Sequence, residues 1–201
     1  MPKLGAEPVR RAALVDATIA EIGETGNLQV TVTQIARRAG MSSALAHHYF
    51  GSKTQIMIAA MRHILTVYSA EVRGALIMAS SDKERAQAII RSSFSQTSFR
   101  HEVISAWLNF YVMALFDPDA KRLLTVYQKR IRRNLTHALK ARLGHDASQA
   151  ADRIAALIDG IYLRSVLGQD PMNRSTAVQE ALAQLEMEWQ SAPSNNHQGH
   201  T

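Results

Sequence analysis

Apolar residues recur along this chain with the spacing of helices. Val32, Ile35, Ala36 and Ala39 stand at i, i+3, i+4 and i+7, which puts one apolar stripe on a helix of about two turns. Thr31 opens it and Gln34 follows three residues later, the reciprocal cap in which each side chain serves the other residue's backbone N–H. Gly40 closes it, since the residue past a helix end commonly takes the left-handed conformation. Ser42 caps a second short helix. Its Ala44, Leu45 and Ala46 are small or apolar and can press against the first helix, while Ser43, His47 and His48 supply polar tips for the outer face. Two short helices joined by a turn containing Gly predict a helix-turn-helix, whose second member enters the major groove of DNA. A three-helix packing unit with no nucleic-acid role would carry the same caps and the same turn, so the distribution of charge matters.

Between residues 25 and 70 there is no Asp or Glu, while Arg37, Arg38, Lys53 and Arg62 are present. A surface that approaches phosphates gains by releasing counterions and loses by carrying carboxylates, so the gap favours the DNA reader. A helix is expected over residues 8–26, with Leu14, Val15, Ala17, Thr18, Ile19 and Ile22 buried. Arg10 and Arg11 near its start oppose the helix dipole, so they either contact phosphate or are simply solvated. Residues 1–7, with Lys3, read as an unpaired arm.

Ser52 and Gln55 cap a long helix running to about residue 79, with Ile56, Ala60, Ile64, Leu65, Val67 and Tyr68 on its apolar side. Lys53 lies in its first turn, where helix N–H groups already attract phosphate. Further helices are expected over 82–99, 102–116, 118–143, 146–167 and 174–189, broken at Asp117-Pro118, Gly144-His145 and residues 168–171. The fold class is therefore all-α. A DNA-reading domain occupies residues 1–52, a helical ligand-binding and dimerisation domain 53–190, and a disordered polar tail 191–201.

Composition adds boundaries. A chain of 201 residues with 46% hydrophobic and 20% charged residues is ordinary for a globular protein. No apolar run reaches the roughly 20 residues that span a bilayer, and residues 1–11 lack a signal-peptide core, so a cytoplasmic protein with no membrane partner is expected. The absence of Cys removes disulfides, thiol nucleophiles and thiolate zinc sites. A net charge of +6 suits a nucleic-acid partner. Nothing resembles GxSxG, a P-loop or GxGxxG, and His101-Glu102 is followed by Ser105 where HExxH needs its second His, so no enzyme and no cofactor are expected. His197 and His200 have metal-compatible spacing, but they lie in the tail.

Half of the twelve aromatic residues fall on three helices: Trp107, Phe110, Tyr111 and Phe116 on one, Tyr127 and Tyr162 on two others. Trp107, Phe110 and Tyr111 share a face at i, i+3 and i+4. Core packing explains such spacing; so does a cage of ring faces for a quaternary ammonium group. Asp159, in the otherwise apolar run ALIDGIYL, is either the counter-charge of that cage or a hydrogen-bonded acid at a helix contact. The helix over 146–167 is apolar over more than one face, which calls for two neighbours, one of them from a second copy of the chain. The run Lys121, Arg122, Lys129, Arg130, Arg132 and Arg133 reads as a solvated helix face, with DNA contact the alternative.

The segments ATIAEIGETG and TVTQIARRAGMSSALAHHYFGSK, with the helical remainder, resemble the TetR family of bacterial repressors. The opening MPKLGAEPVRR, the HHYF ending of the reader, AWLNF and ALIDGIYLR resemble its choline-responsive branch, which governs glycine-betaine synthesis. The resemblance implies a homodimer on a palindromic double-stranded DNA operator, released when a small-molecule effector moves the connecting helix. Carried over by position, Ser42, Ser43, Ala44, His47 and His48 would face the groove, and Thr33, Tyr49 and Lys53 would hold phosphates. His47 stands where the wider family commonly has Tyr, so the operator sequence is not carried over. Choline is the expected effector, with Trp107, Phe110, Tyr111 and Tyr162 as walls and Asp159 as counter-charge. Another lipophilic cation or an apolar molecule is the alternative.

Overall fold

The computed structural model describes residues 6–26, 29–168 and 173–191. Its helices are α1 (Ala6–Thr25), α2 (Val32–Arg38), α3 (Ser43–Phe50), α4 (Lys53–Met78), α5 (Asp82–Ser93), α6 (His101–Ala114), α7 (Pro118–Leu143), α8 (Ala147–Leu167) and α9 (Arg174–Gln190). Among the described residues there is no strand. The arm carrying Lys3, the tail beyond residue 191 and its His197 and His200 lie outside the described residues.

Local chemistry sets the boundaries of α2 and α3. Thr31 Oγ1 accepts the Gln34 N–H at 3.2 Å, and Gln34 Oε1 accepts the Thr31 N–H at 2.7 Å, completing the reciprocal cap. At the other end Gly40 has φ +67°, its N–H reaches the Arg37 carbonyl at 3.0 Å, and the Met41 N–H reaches that of Ala36 at 2.8 Å. This is the Schellman closure, which satisfies two carbonyls that the helix leaves open. Ser42 caps α3 by accepting the Leu45 N–H at 3.2 Å. Ile35, Ala36 and Ala46 have no exposed surface and pack with Leu14 of α1 and Ile56 of α4.

Only two residues separate α3 from α4. Gly51 has φ +75° and ψ −56°, a γ-turn in which the Ser52 N–H reaches the Phe50 carbonyl at 2.9 Å. The Gly51 N–H also reaches the His47 carbonyl at 2.7 Å, and the His47 Nδ1 lies 3.1 Å from the Gly51 carbonyl oxygen. Ser52 then caps α4 through the Gln55 N–H at 3.2 Å.

α4 continues into the C-terminal helices, where α5 packs against α4, α7 and α9, and α8 against α6, α7 and α9. α1 and α6 cross closely at Gly23: a β-carbon added there would lie 2.8 Å from Glu102 Cα and 2.6 Å from Glu102 Cβ. Asn109, further along α6, donates to the Gly26 carbonyl at 3.4 Å.

The helix expected over 82–99 stops at Ser93. The Ser93 carbonyl is taken by the Tyr162 hydroxyl instead of by a further helical turn. Beyond it, the Ser95 hydroxyl donates to Glu71 at 2.7 Å and accepts the Ser98 N–H at 3.0 Å, holding residues 94–100 as turns. Tertiary partners on α4 and α8 end this helix.

Glu188 of α9 is 7% exposed and receives both arms of Arg153 of α8 at 2.6 Å. Arg153 and the Gln184 amide hold its carboxyl below the ordinary range against the opposing effect of burial. A depressed carboxylate stabilises the fold above its unfolded pKa of about 4.3, and that contribution is lost as pH falls through the folded value. Arg153 is half in solvent, which discounts the pair. Glu188→Gln is expected to lower stability at pH 7 by about 1–2 kcal/mol. Urea titrations at pH 7 and pH 3.5 check this, because the difference from wild type should shrink at the lower pH.

Candidate DNA-reading and ligand sites

Of the eight residues expected at DNA, Thr33, Ser42, Ala44, His47 and His48 are exposed, and Ser43, Tyr49 and Lys53 are half-buried. The Ser43 hydroxyl donates to Thr33 Oγ1 at 3.1 Å, tying the start of α3 to α2. Ser42 also spends a lone pair on its cap. Lys53 occupies the first position of α4, where its charge adds to the positive end of the dipole. The α3 surface thus presents hydroxyls, imidazoles and a methyl group, the repertoire that reads base edges and thymine methyls in a major groove.

The arginines divide differently from the sequence pattern. Arg38 turns back onto α1, with its Nε 2.6 Å from Glu21 and a second nitrogen on Glu24, so Arg37 is the member of the pair that points outward. Arg10 donates to the Tyr49 hydroxyl at 3.3 Å, and the Arg11 guanidinium lies 5.0 Å from the Phe50 ring and 5.5 Å from the Tyr49 ring. Both therefore brace the end of α3, a third role beside phosphate contact and simple solvation.

The expected cage residues fall into two adjoining groups. Trp107, Phe110 and Tyr111 form one cluster on α6, with ring centroids 6.3 Å (Trp107–Phe110) and 5.8 Å (Trp107–Tyr111) apart, and the Tyr111 hydroxyl donates to Asp159 at 2.9 Å. Tyr162 stands with Phe94 and Phe99 at 5.7 and 5.9 Å, its hydroxyl fixed on the Ser93 carbonyl. Phe110 is 1% exposed and backs the cluster from the core. Phe116 is 84% exposed and stands outside it.

Two tyrosines that sequence reasoning left out of the expected site pack onto the Trp107 cluster. Tyr127 of α7 lies 4.6 Å from Trp107, and Tyr68 of α4 lies 5.8 Å from Tyr127. Four of the five tyrosines in the chain, Tyr68, Tyr111, Tyr127 and Tyr162, therefore converge from four helices around Asp159. Both missed residues lie on their helices' buried stripes, where only the pairing of α4 with α7 distinguishes a site residue from a core residue.

Burial dominates the electrostatics. It pushes the Tyr68 hydroxyl up to about 12 and those of Tyr127 and Tyr162 well above the ordinary phenol value. Tyr111 is raised by burial and further by the adjacent Asp159. Asp159 itself is raised by burial, which the hydrogen bond from Tyr111 opposes. Among the described residues no Lys, Arg or His forms an ion pair with it. A hollow of about 260 Å³ between α7 and α8 reaches the carboxylate from outside, bordered by Tyr127, Ile131, Ala155 and Asp159 and also by Lys129 and by the Arg132–Asp152 ion pair. The arrangement is a desolvated acid beside electron-rich rings, which suits a soft cation.

Comparison with known proteins assigns both ends. Residues 14–60 match the family described as bacterial regulatory proteins, tetR family, and residues 82–190 match the BetI-type transcriptional repressor C-terminal family. The HTH-type transcriptional regulator BetI of Brucella anthropi is 45% identical over 179 residues, covering 89% of this chain and 92% of that protein. Among solved structures, a transcriptional regulator from Rhodococcus superposes with a TM-score of 0.82 at 20% identity, over 90% of this chain and 97% of that one. One from Saccharomonospora viridis in complex with choline gives 0.76 at 21%, over 88% and 95%. With its reading helices and its C-terminal helices both matched, the chain belongs to the TetR family of bacterial regulators, as a DNA-binding transcriptional repressor with a BetI-type C-terminal domain.

Proposed function

We propose that this repressor is released from its operator by choline, bound beside Asp159. The observation that carries the reading is the half-buried Asp159 carboxylate, held by Tyr111 at 2.9 Å and sharing a hollow with Tyr127, whose ring packs 4.6 Å from Trp107. A quaternary ammonium has no N–H to donate, so ring faces and a nearby negative charge are what hold it. The protonated phenols around the carboxylate can serve the alcohol end. Glycine betaine carries a carboxylate of its own, which Asp159 repels, so the site separates precursor from product. The relative from Saccharomonospora viridis, solved with choline, supports the same ligand class.

Release follows from where the ligand-facing residues sit. Tyr68 belongs to α4, whose first residue is Lys53, and Trp107 and Tyr111 belong to α6, which crosses α1. Choline relieves repression only by the margin with which it prefers the released arrangement. We assign residues 1–52 to reading, through Thr33, Ser42, Ser43, Ala44, His47, His48, Tyr49 and Lys53, and 53–190 to sensing and dimerisation. Ala156, Gly160, Leu163 and Leu167 share the outer face of α8 at i, i+4, i+7 and i+11, and Met187 of α9 is 60% exposed. A second copy covering that face gives a homodimer, with two recognition helices one or more helical turns of DNA apart on a palindromic operator.

Isothermal titration with choline, glycine betaine and a neutral alcohol of similar size tests the reading. Saturable heat for choline alone is the expected outcome. A folded, operator-binding dimer that gives no heat with choline would remove this effector and leave the repressor.

A further inference from the structure

The net charge of this chain does not sit on its DNA reader. α7 carries eight Lys and Arg residues against the single acid Asp119, a net +7 that exceeds the +6 of the whole chain. The rest of the molecule is therefore close to neutral. α7 runs alongside α4 in the same direction, with Tyr127 beside Tyr68, Arg130 on Ser69 and Asn134 bordering a hollow with Leu76. Its basic half is thus level with the part of α4 that begins about 22 Å from Lys53, at 1.5 Å per residue. Operator phosphates held at Lys53 are out of its reach.

The charge lines a groove. Lys129, Arg133, His137 and Lys140 follow one another along one face of α7, and with the hydroxyls of Thr136 and of Ser148 in the first turn of α8 they border a hollow of about 410 Å³. Arg133 also borders a second hollow of about 310 Å³ toward α4, shared with Arg73 and Arg130. Lys129–Arg132, Lys129–Arg133 and Arg130–Arg133 are like-charge neighbours at three and four residues, each costing a helix roughly 0.2–0.5 kcal/mol. Asp152 answers Arg132 at 2.5 Å, and Ser69 gives Arg130 a neutral partner at 2.9 Å. Among the described residues no carboxylate pairs with Lys129 or Arg133.

We propose that this groove is a second ligand site, for a small molecule carrying two or more linked phosphate groups. Lys129 and Arg133 stand about one turn apart and Lys140 about two turns further, roughly 6 and 10 Å at 1.5 Å per residue, so a single phosphate cannot reach them all and a linked set can. A volume of about 410 Å³ is that of a small-molecule site, and His137 is the only ring bordering it, which leaves nucleic-acid bases no stacking platform. The groove lies at the first turn of α8, about 12 Å along the helix from Ala156, where the dimer face proposed above begins.

Titration of the dimer with inorganic triphosphate at physiological salt, against orthophosphate and a non-operator duplex, tests the assignment. Triphosphate is expected to bind saturably and at least tenfold more tightly than orthophosphate. Arg133→Gln combined with Lys140→Gln should weaken it at least tenfold, with choline and operator binding unchanged and the fold retained. Arg85→Gln combined with Arg91→Gln removes the same charge from α5 and should change little. No saturable binding overturns the proposal, and so does an equal loss in the α5 variant, which would reduce the effect to net charge. Duplex that displaces triphosphate from the groove and binds more tightly overturns the small-ligand class in favour of a nucleic-acid surface.

Discussion

Gly23→Ala should weaken operator binding on the order of tenfold to a hundredfold while also lowering the melting temperature. The expectation has an unusual sign. Alanine in the middle of an exposed helix normally stabilises by about 0.5–1 kcal/mol relative to glycine. At Gly23 the added carbon would fall 2.8 Å from the Glu102 Cα, and backbone on the far side of a helix crossing cannot rotate away. α1 and α6 must then separate by a few tenths of an ångström or more, at about 1–3 kcal/mol. The displacement acts between the helix that supports α3 and the helix that carries Trp107 and Tyr111. Gly74 of α4 has nothing within 4 Å of where its β-carbon would lie, so Gly74→Ala is the matched control and should melt slightly higher. Fluorescence anisotropy on operator DNA and thermal melts of the two variants decide the matter. A stabilised Gly23→Ala with wild-type operator affinity would show the crossing to be slack.

Asp159→Asn should reduce choline affinity by about 2–3 kcal/mol, on the order of 30- to 150-fold, and should leave the ligand-free protein as stable or more so. The two effects have one cause. The carboxylate is desolvated and its hydrogen bond to Tyr111 only partly compensates, so a neutral amide of the same shape relieves the free protein and removes the attraction for the cation. An acid serving only to hold α6 to α8 would give the opposite stability result. Glycine betaine supplies a further readout, because losing the repulsive charge should narrow the gap between the two ligands. In wild type, choline binds the ionised acid, so affinity should fall as pH drops through the Asp159 pKa, which burial holds above the ordinary value. Calorimetry between pH 4 and pH 8 on both proteins checks this, and a pH response that survives in Asp159→Asn would move the counter-charge elsewhere.

What local chemistry controls was legible before any coordinates. The Thr31–Gln34 cap, the closure at Gly40 and both ends of α7 follow from side chains within four residues of the boundary, and each is where the pattern puts it. What tertiary partners control was not. The end of α5 depends on Tyr162, which is 69 residues from the carbonyl it takes, and on Glu71, which is 24 from the hydroxyl it accepts. The ligand site shows the same division. Helical spacing groups Trp107, Phe110 and Tyr111, and the Tyr111–Asp159 pair is a hydrogen-bonded acid at a helix contact, which the proposed cage would use as its edge. Tyr68 and Tyr127 join only through the packing of α4 on α7, which no periodicity within either helix encodes. Charge misled more than pattern did, because the acid-free stretch contains an arginine already neutralised by α1, while most of the positive charge sits on α7.

The two-residue joint of Gly51 and Ser52 bears on how such a repressor can diversify. With the γ-turn hydrogen-bonded on both sides, α4 cannot tilt without carrying α3 along. The output is therefore indifferent to what does the tilting. If the hollow around Asp159 is the sensing site, as proposed, its lining can be exchanged for residues that suit a different molecule, provided that molecule still bears on α4 near Tyr68. On the proposed division, sensing and reading are separable parts joined by a coupling too short to drift, so new inducers could be acquired while the same reading surface keeps its operator.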